Sequence, residues 1–503
     1  MRIAFRTDVS VQIGSGHFQR CLTLANALFK PGIAIRFCCR HLPPQLHAKL
    51  QQRGYQVRII DAPSEASTEQ GPPHAEWLGT SQLADATSCK EALSDGEWDL
   101  LVVDHYALDE RWEREMRSCV KKIFVIDDLA DRVHDCDWLL DQNYYRDAES
   151  RYVNKVPAHC CCLIGPRYAL LRKEFMAARN QAALRAGPVN RVLLFFGGVD
   201  KDNLTGRALH VLAAMRSRSF RVDVVIGNMH PFIDEIRECC CRQGFDCHIQ
   251  TDRMAVLMAQ ADMAIGAGGT AVLERWCLGL PTIAFATAEN QMRQVGDAAR
   301  EGLLYAPDGH ETFEETLEKH LPALVDNMPL REHMSFQAMA VVDGLGLSRV
   351  AALLDDDVVQ IRPACLSDSR EIFEWRNHPD IRRFCGDPGV IPWEMHEQWF
   401  KGILSSTTSV LLIGYREMAP VGVVRYDFID SDARVSIYLV PGQEKKGLGR
   451  KLLLRAEIWL KNHRGDIRKI RARIMAGNGR SRALFEGSGY HEESASFLKE
   501  LQP

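Results

Sequence analysis

A short apolar strand, a glycine-bearing turn and an amphipathic helix open the chain, and the same order returns three times. The first copy has an apolar run at 3–5 and the loop RTDVSVQIGSGHFQRC at 6–21. After the loop, Leu22, Ala25, Leu28 and Phe29 recur at helical spacing. The others are RVLLFFGGVD (191–200), MAIGAGGTAVLERWCLGLPTIAF (263–285) and LVPGQEKKGLGRKLLLRAEIWL (439–460). Strands that alternate with helices in this way build parallel sheets covered on both faces. Such sheets collect ligands at the carboxyl ends of their strands.

The alternation divides the chain. Residues 1–180 carry apolar strands at 35–40, 56–60, 100–106 and 122–130, with helical patterns between them. The polar segment RNQAALRAGPVN (179–190) reads as a hinge, and a second strand–helix series fills 190–350. An acidic linker, LLDDDVV, precedes a third region at 358–503. There a fresh strand at 358–362 and antiparallel-looking strands at 409–415, 419–428 and 433–440 predict a mixed sheet. The expectation is an α/β chain: two Rossmann-like parallel-sheet domains, then an α+β domain. A length of 503 residues suits three domains.

Composition narrows the partners. A net charge of −4 gives no electrostatic reason to expect nucleic acid. No apolar run approaches the roughly 18 residues that span a bilayer, so no membrane is expected. MRIAFRTD reaches charge after one short strand, unlike a signal peptide. The sixteen cysteines include no CxxC and read as reduced thiols of a cytoplasmic protein. His159 beside Cys160, and Cys247-His248 near Cys241, lack a second ligand pair at regular spacing, so no metal is expected.

The turns carry the candidate chemistry. In the first, Gly14 and Gly16 permit a tight loop, and the helix beyond offers unpaired N–H groups to phosphate oxygens. His17 stands at that junction as a candidate for proton transfer; a glycine turn with a capping histidine has the same sequence. Asp8, Asp104, His105, Asp127 and Asp128 fall at strand ends, where carboxylates also serve as caps. Asp8 is taken as a substrate contact, as are Gly198, Asp200 and Asn203 in the turn that follows residue 195. At 268–271, backbone N–H groups with the Thr270 hydroxyl suit a pyrophosphate, and Gly268, Gly269 and Thr270 are taken as its seat. Glu274, one turn on, can accept both hydroxyls of a ribose. Asn290 and Gln291 in AENQ are plausible sugar contacts, or a structural turn.

The motifs RTDVSVQIGSGHFQRCLTLA, IDDLADRVHDCDWLLDQN, LIGPRYALLRKEF, FFGGVDKDNLT and GAGGTAVLERWCLGLPTIAFATAENQ together resemble one family across 1–350. It is the UDP-2,4-diacetamido-2,4,6-trideoxy-β-L-altropyranose hydrolases of pseudaminic acid synthesis, the sugar used in flagellin glycosylation. That family is similar in fold to the GT-B glycosyltransferases. The resemblance implies UDP held by the second domain, sugar facing the first across a cleft, and His17 matching the catalytic histidine.

Residues 358–503 resemble the acetyl-CoA-dependent GNAT N-acetyltransferases. WRN with NGRSRALFEGSGY is similar to the subgroup acting on ribosomal termini and 4-amino sugar nucleotides. At 445–450, Gly447, Leu448 and Gly449 would present backbone N–H groups to the CoA pyrophosphate, with charge from Lys445, Lys446 and Arg450. Asn478 and Ser481 complete the implied cofactor contacts. Two departures stand out: Glu444 opens the turn in place of Gln or Arg, and Phe485 occupies the position of the usual Tyr acid. The resemblances together imply a bifunctional enzyme that N-acetylates a UDP-4-amino sugar and hydrolyses the product. Its rivals are a GT-B glycosyltransferase, or a non-catalytic sugar-nucleotide sensor, fused to an acetyltransferase.

Overall fold

The computed structural model describes the chain except residues 11, 62–70, 216–218, 308–310, 355–358, 386–387, 417–418, 444–446 and 493–503. The acidic linker 355–357 and the lysines Lys445 and Lys446 therefore lie outside the described residues. The chain divides into two compact units, Met1–Leu347 and Ser348–Pro503.

The first unit holds two parallel sheets. One has seven strands: β1 (Arg2–Thr7), β2 (Ala34–Cys39), β3 (Gln56–Ile59), β4 (Trp98–Asp104), β5 (Val120–Ile126), β6 (Trp138–Asp141) and β7 (Cys161–Ile164). Their spatial order is β3-β2-β1-β4-β5-β6-β7. The four-residue strands β6 and β7 are too short to announce themselves by periodicity. The other sheet has β8 (Arg191–Phe195), β9 (Arg221–Ile226), β10 (Asp246–Ile249), β11 (Met263–Ala267) and β12 (Thr282–Phe285), ordered β10-β9-β8-β11-β12. These are two Rossmann-like lobes.

Burial explains why the strands read as continuous apolar runs. Val192 and Leu194 enter one core while Leu193 enters another, and Met263 and Ile265 part from Ala264 in the same way. Both faces of the sheet are therefore covered, with side chains alternating between them. Ala169, Leu171 and Phe175 already pack in a core of the second lobe. The polar segment that follows lies on that lobe as well: Arg185 N–H donates to Ser335 Oγ at 3.1 Å. By length and apolarity Met328–Leu354 would suffice to cross a bilayer. It contains two helices, Met328–Val341 and Gly346–Leu354, with Val342 extended after the first. Met334, Ala338, Val342, Val350 and Leu353 are buried within the protein.

In both parallel sheets the chain reverses its direction of travel near the middle. β1 lies between β2 and β4, and β8 between β9 and β11. Loops leaving such neighbours run to opposite sides, which opens a crevice at their carboxyl ends.

The second unit is one mixed sheet in sequence order: β13 (Gln360–Pro363), β14 (Ser409–Arg416), β15 (Ala419–Ile429), β16 (Asp432–Leu439) and β17 (Lys469–Ala472). Pairing is antiparallel up to β16, and β17 runs parallel to it after the crossover helix Leu448–His463. β17 pairs with β16 only from Asp432 to Val435, so the carboxyl half of β16 has no β17 neighbour.

Candidate functional site

The strand order of the first lobe brings the end of β4 beside the loop that leaves β1. Gly14 is held at φ +75°, a left-handed conformation that favours glycine, and its N–H donates to Ser10 O at 2.8 Å. The tightened loop delivers His17 to the second position of the helix Gly16–Leu28, where the residue is 8% exposed. Among the described residues, a Cβ added at Gly16 would meet nothing within 4 Å.

His17 is not alone there. Its Nδ1 lies 2.6 Å from Asp104 Oδ1 at the end of β4. Arg20, one turn along the same helix, donates from Nε to Asp104 Oδ2 at 2.6 Å and from Nη2 to Oδ1 at 2.7 Å. Its Nη1 donates to Asp128 Oδ2 at 2.9 Å, and Asp128 Oδ1 accepts the Tyr106 hydroxyl. The Tyr106 ring stands edge-on to His17, with centroids 4.5 Å apart. Arg20 Nη2 also comes within 3.2 Å of His17 Nδ1. Because Arg20 can only donate, it cannot take the Nδ1 proton, so that proton goes to Asp104. This fixes the tautomer and leaves Nε2 as the basic nitrogen. Burial acts to raise the Asp104 carboxyl, but Arg20 and His17 outweigh it and hold the group well below the usual carboxylate range.

Asp8 is a correction. It is fully buried, its Oδ1 accepts the N–H groups of Arg40 at 2.6 Å and His41 at 3.1 Å, and its Oδ2 faces Arg6 at 2.9 Å and His105 at 3.3 Å. A carboxylate enclosed in this way braces the end of β1 and has no face left for a substrate. Asp127 is likewise spent on Ala130 N–H and Arg132.

In the second lobe the loops after β8 and β11 meet at the other reversal point. Asp200 Oδ1 and Oδ2 accept the N–H groups of Leu204 and Thr205 at 3.0 and 2.7 Å. Asn203 Oδ1 accepts that of Gly206 at 3.1 Å. Both side chains expected on substrate are therefore occupied in capping the helix Leu204–Ala214. Gly198 is exposed, and its carbonyl passes so near Gly227 that a Cβ there would lie 2.2 Å from it.

Gly268 departs from expectation in one respect. Its N–H already donates to Phe285 O at 2.8 Å, so it is not available to a phosphate. A side chain there would strike Val295, with Cβ 2.1 Å from Cγ2. Gly268 is needed for close packing, which leaves Gly269, Thr270 and the first turn of the helix Ala271–Cys277 as the part of the expected seat not spent on the fold. Glu274 is partly exposed, and its Oε1 sits 3.3 Å from Arg172 Nη2. Burial raises its carboxyl, with Arg172 opposing. Gln291 Oε1 accepts from Thr287 N and Oγ1 at 3.0 and 3.1 Å, which makes it a turn clamp, whereas Asn290 is exposed. If the UDP seat that the resemblance implies lies here, Glu274→Ala should weaken UDP binding by about 1.5–3 kcal/mol, the worth of a charged hydrogen bond. Calorimetry with UDP checks this, and unchanged affinity would make Glu274 only the partner of Arg172.

In the second unit, Gly447 caps the helix Leu448–His463 at φ +91°, and among the described residues a Cβ at this position would meet nothing within 4 Å. This helix start is where a CoA pyrophosphate is expected. Leu448 is buried, so only its backbone can contribute; a Cβ added at Gly449 would lie in ordinary contact with Leu484, at 3.7 Å. Arg450 is drawn inward: burial lowers its guanidinium, and Gly487 leaves the space it fills. Asn478 Oδ1 accepts Ser481 N–H at 3.1 Å, capping the helix Gly479–Glu486. Phe485 is buried against Tyr490, whose hydroxyl donates to Glu457 at 2.8 Å.

The first unit thus carries a buried His–Asp pair at one lobe's crevice and a glycine loop with a carboxylate at the other's, and the second unit is a mixed sheet with a crossover helix. Residues 359–491 match the acetyltransferase (GNAT) domain model. An uncharacterized protein of Methanocaldococcus jannaschii is 23% identical over 97% of this chain and 96% of its own length. The spore coat polysaccharide biosynthesis protein SpsG of Bacillus subtilis is 30% identical over 38% of this chain, a match covering 57% of that protein. The UDP-2,4-diacetamido-2,4,6-trideoxy-β-L-altropyranose hydrolase of Campylobacter jejuni is 28% identical over 41% of this chain and 63% of its own. The chain thus joins a region homologous to a UDP-sugar hydrolase and a spore coat polysaccharide biosynthesis protein to a GNAT acetyltransferase domain.

Proposed function

We propose that the chain catalyses two successive steps of pseudaminic acid synthesis in the cytoplasm. The GNAT domain acetylates the 4-amino group of UDP-4-amino-4,6-dideoxy-N-acetyl-β-L-altrosamine with acetyl-CoA. The two-lobed unit then hydrolyses the product to UDP and 2,4-diacetamido-2,4,6-trideoxy-L-altrose. The observation that carries the hydrolytic reading is the His17–Asp104 bond, which turns His17 Nε2 toward proton acceptance.

UDP is a good leaving group, so hydrolysis needs chiefly an activated water at the anomeric carbon. His17 Nε2 takes a proton from that water as its oxygen bonds to C1 and the C1–O bond to UDP breaks. Asp104 stabilises the imidazolium that forms. N–H groups of Gly269, Thr270 and the following turn offset the charge on departing UDP, and Glu274 holds the ribose. Acetyl-CoA supplies the acetyl group as a thioester. The N–H groups of Gly447, Leu448 and Gly449 seat its pyrophosphate, and the gap beside the carboxyl half of β16 admits the amine.

Asp104→Asn should lower hydrolytic kcat by about 10²–10⁴-fold with UDP affinity retained, the cost of losing the carboxylate that orients a catalytic histidine. The decisive experiment gives the full chain acetyl-CoA and the UDP-4-amino sugar and follows the products by mass spectrometry. Free diacetamido sugar with UDP supports the reading. Sugar transferred to another acceptor, or acetylation without hydrolysis, overturns its hydrolytic half.

A further inference from the structure

Resting on the hydrolase reading, we infer that Arg20 is a positioning residue for His17, acting through Asp104. His17 and Arg20 lie three residues apart on one helix and so share a face. Between them Asp104 accepts three charge-assisted bonds of 2.6–2.7 Å: one from His17 Nδ1, two from the fork of Arg20. The Cys21 thiol adds a longer contact, at 3.7 Å from Oδ2. The fork engages both oxygens, which fixes the plane of the carboxylate and hence the direction from which Oδ1 meets the imidazole.

A second arm closes the arrangement. Arg20 Nη1 holds Asp128, Asp128 holds the Tyr106 hydroxyl, and the Tyr106 ring edge limits rotation of His17 from the other side. Arg20 and both carboxylates are at least nine-tenths buried, so this ring of contacts is screened from water. Charge balance alone does not require the geometry, because one ammonium could offset the same carboxylates. A planar fork that grips both oxygens of Asp104 while reaching a second carboxylate is a property of arginine.

Arg20→Lys separates the two roles, since it keeps the charge and removes the fork. In the full chain it should lower hydrolytic kcat by about 10²-fold, the cost of a catalytic group misplaced by about 1 Å, with KM near the wild-type value. Combined with Asp104→Asn, it should cost no more than Asp104→Asn alone, because both act through one carboxylate. Wild-type kcat in Arg20→Lys, a loss confined to KM, or multiplicative losses in the double variant would overturn the inference. Should Arg20→Lys not fold, Asp128→Asn carries the test: its amide oxygen can still accept from Nη1 but without the charge that strengthens the bond, and an unchanged kcat counts against the proposal.

A readout independent of turnover separates this inference from the reading it rests on. The His17 Nδ1 proton, in a short charge-assisted bond, should resonate far downfield in histidine-labelled protein and move upfield in Arg20→Lys. If the signal moves but no variant or wild-type protein hydrolyses the UDP-sugar, the hydrolase reading fails while the positioning stands. Hydrolysis that depends on His17, with signal and kcat unmoved in Arg20→Lys, defeats the positioning alone.

Discussion

His17→Ala should reduce hydrolytic kcat by about 10²–10⁴-fold, the usual contribution of a general base, while UDP affinity stays near its wild-type value. The separation follows from the fold. His17 belongs to the β1–β4 crevice of the first lobe, whereas Gly269, Thr270 and Glu274 belong to the β8–β11 crevice of the second. Acetylation by the other unit should be untouched, which serves as the internal control. Release of UDP from the acetylated substrate and UDP calorimetry measure the two quantities. Full turnover in the variant would remove His17 from the mechanism and leave its dyad a structural feature.

Gly447→Asp should abolish acetyl transfer and leave hydrolysis running. Two effects act in the same direction. Gly447 sits at φ +91°, where a side chain strains the backbone at the start of a 16-residue helix. The new carboxylate would also face the pyrophosphate of acetyl-CoA. Like charges 4 Å apart repel by about 4 kcal/mol at an effective dielectric near 20, which corresponds to a loss of two to three powers of ten. Thiol release from acetyl-CoA and UDP release from the acetylated sugar report the two reactions separately. Loss of both would mean that the two activities share a site.

The sequence alone determined the material of the fold. Runs such as RVLLF and MAIGA are apolar at nearly every position because both faces of their sheet are covered, and that signal needs no tertiary knowledge. Gly14 and Gly447 were legible for a similar reason: a turn forced into positive φ selects glycine locally. His17 was legible as a candidate because it stands where a strand, a glycine loop and a helix meet.

Tertiary structure decided which candidates meet. Asp8, Asp104, Asp127, Asp200 and Asn203 all look like polar residues at strand or helix ends. Asp8 is enclosed by Arg6, Arg40, His41 and His105, and Asp200 and Asn203 cap their own helix. Of these five, Asp104 is the one that reaches His17, across 87 residues of chain. That meeting depends on β4 pairing directly with β1, a choice of strand order fixed by packing of the whole lobe and not by local pattern. Arg20 could be seen three residues after His17, but its role needed Asp104 in place. Local preference writes the strands, turns and helices. Strand order, a cooperative property of the buried sheet, determines which of their ends share a site.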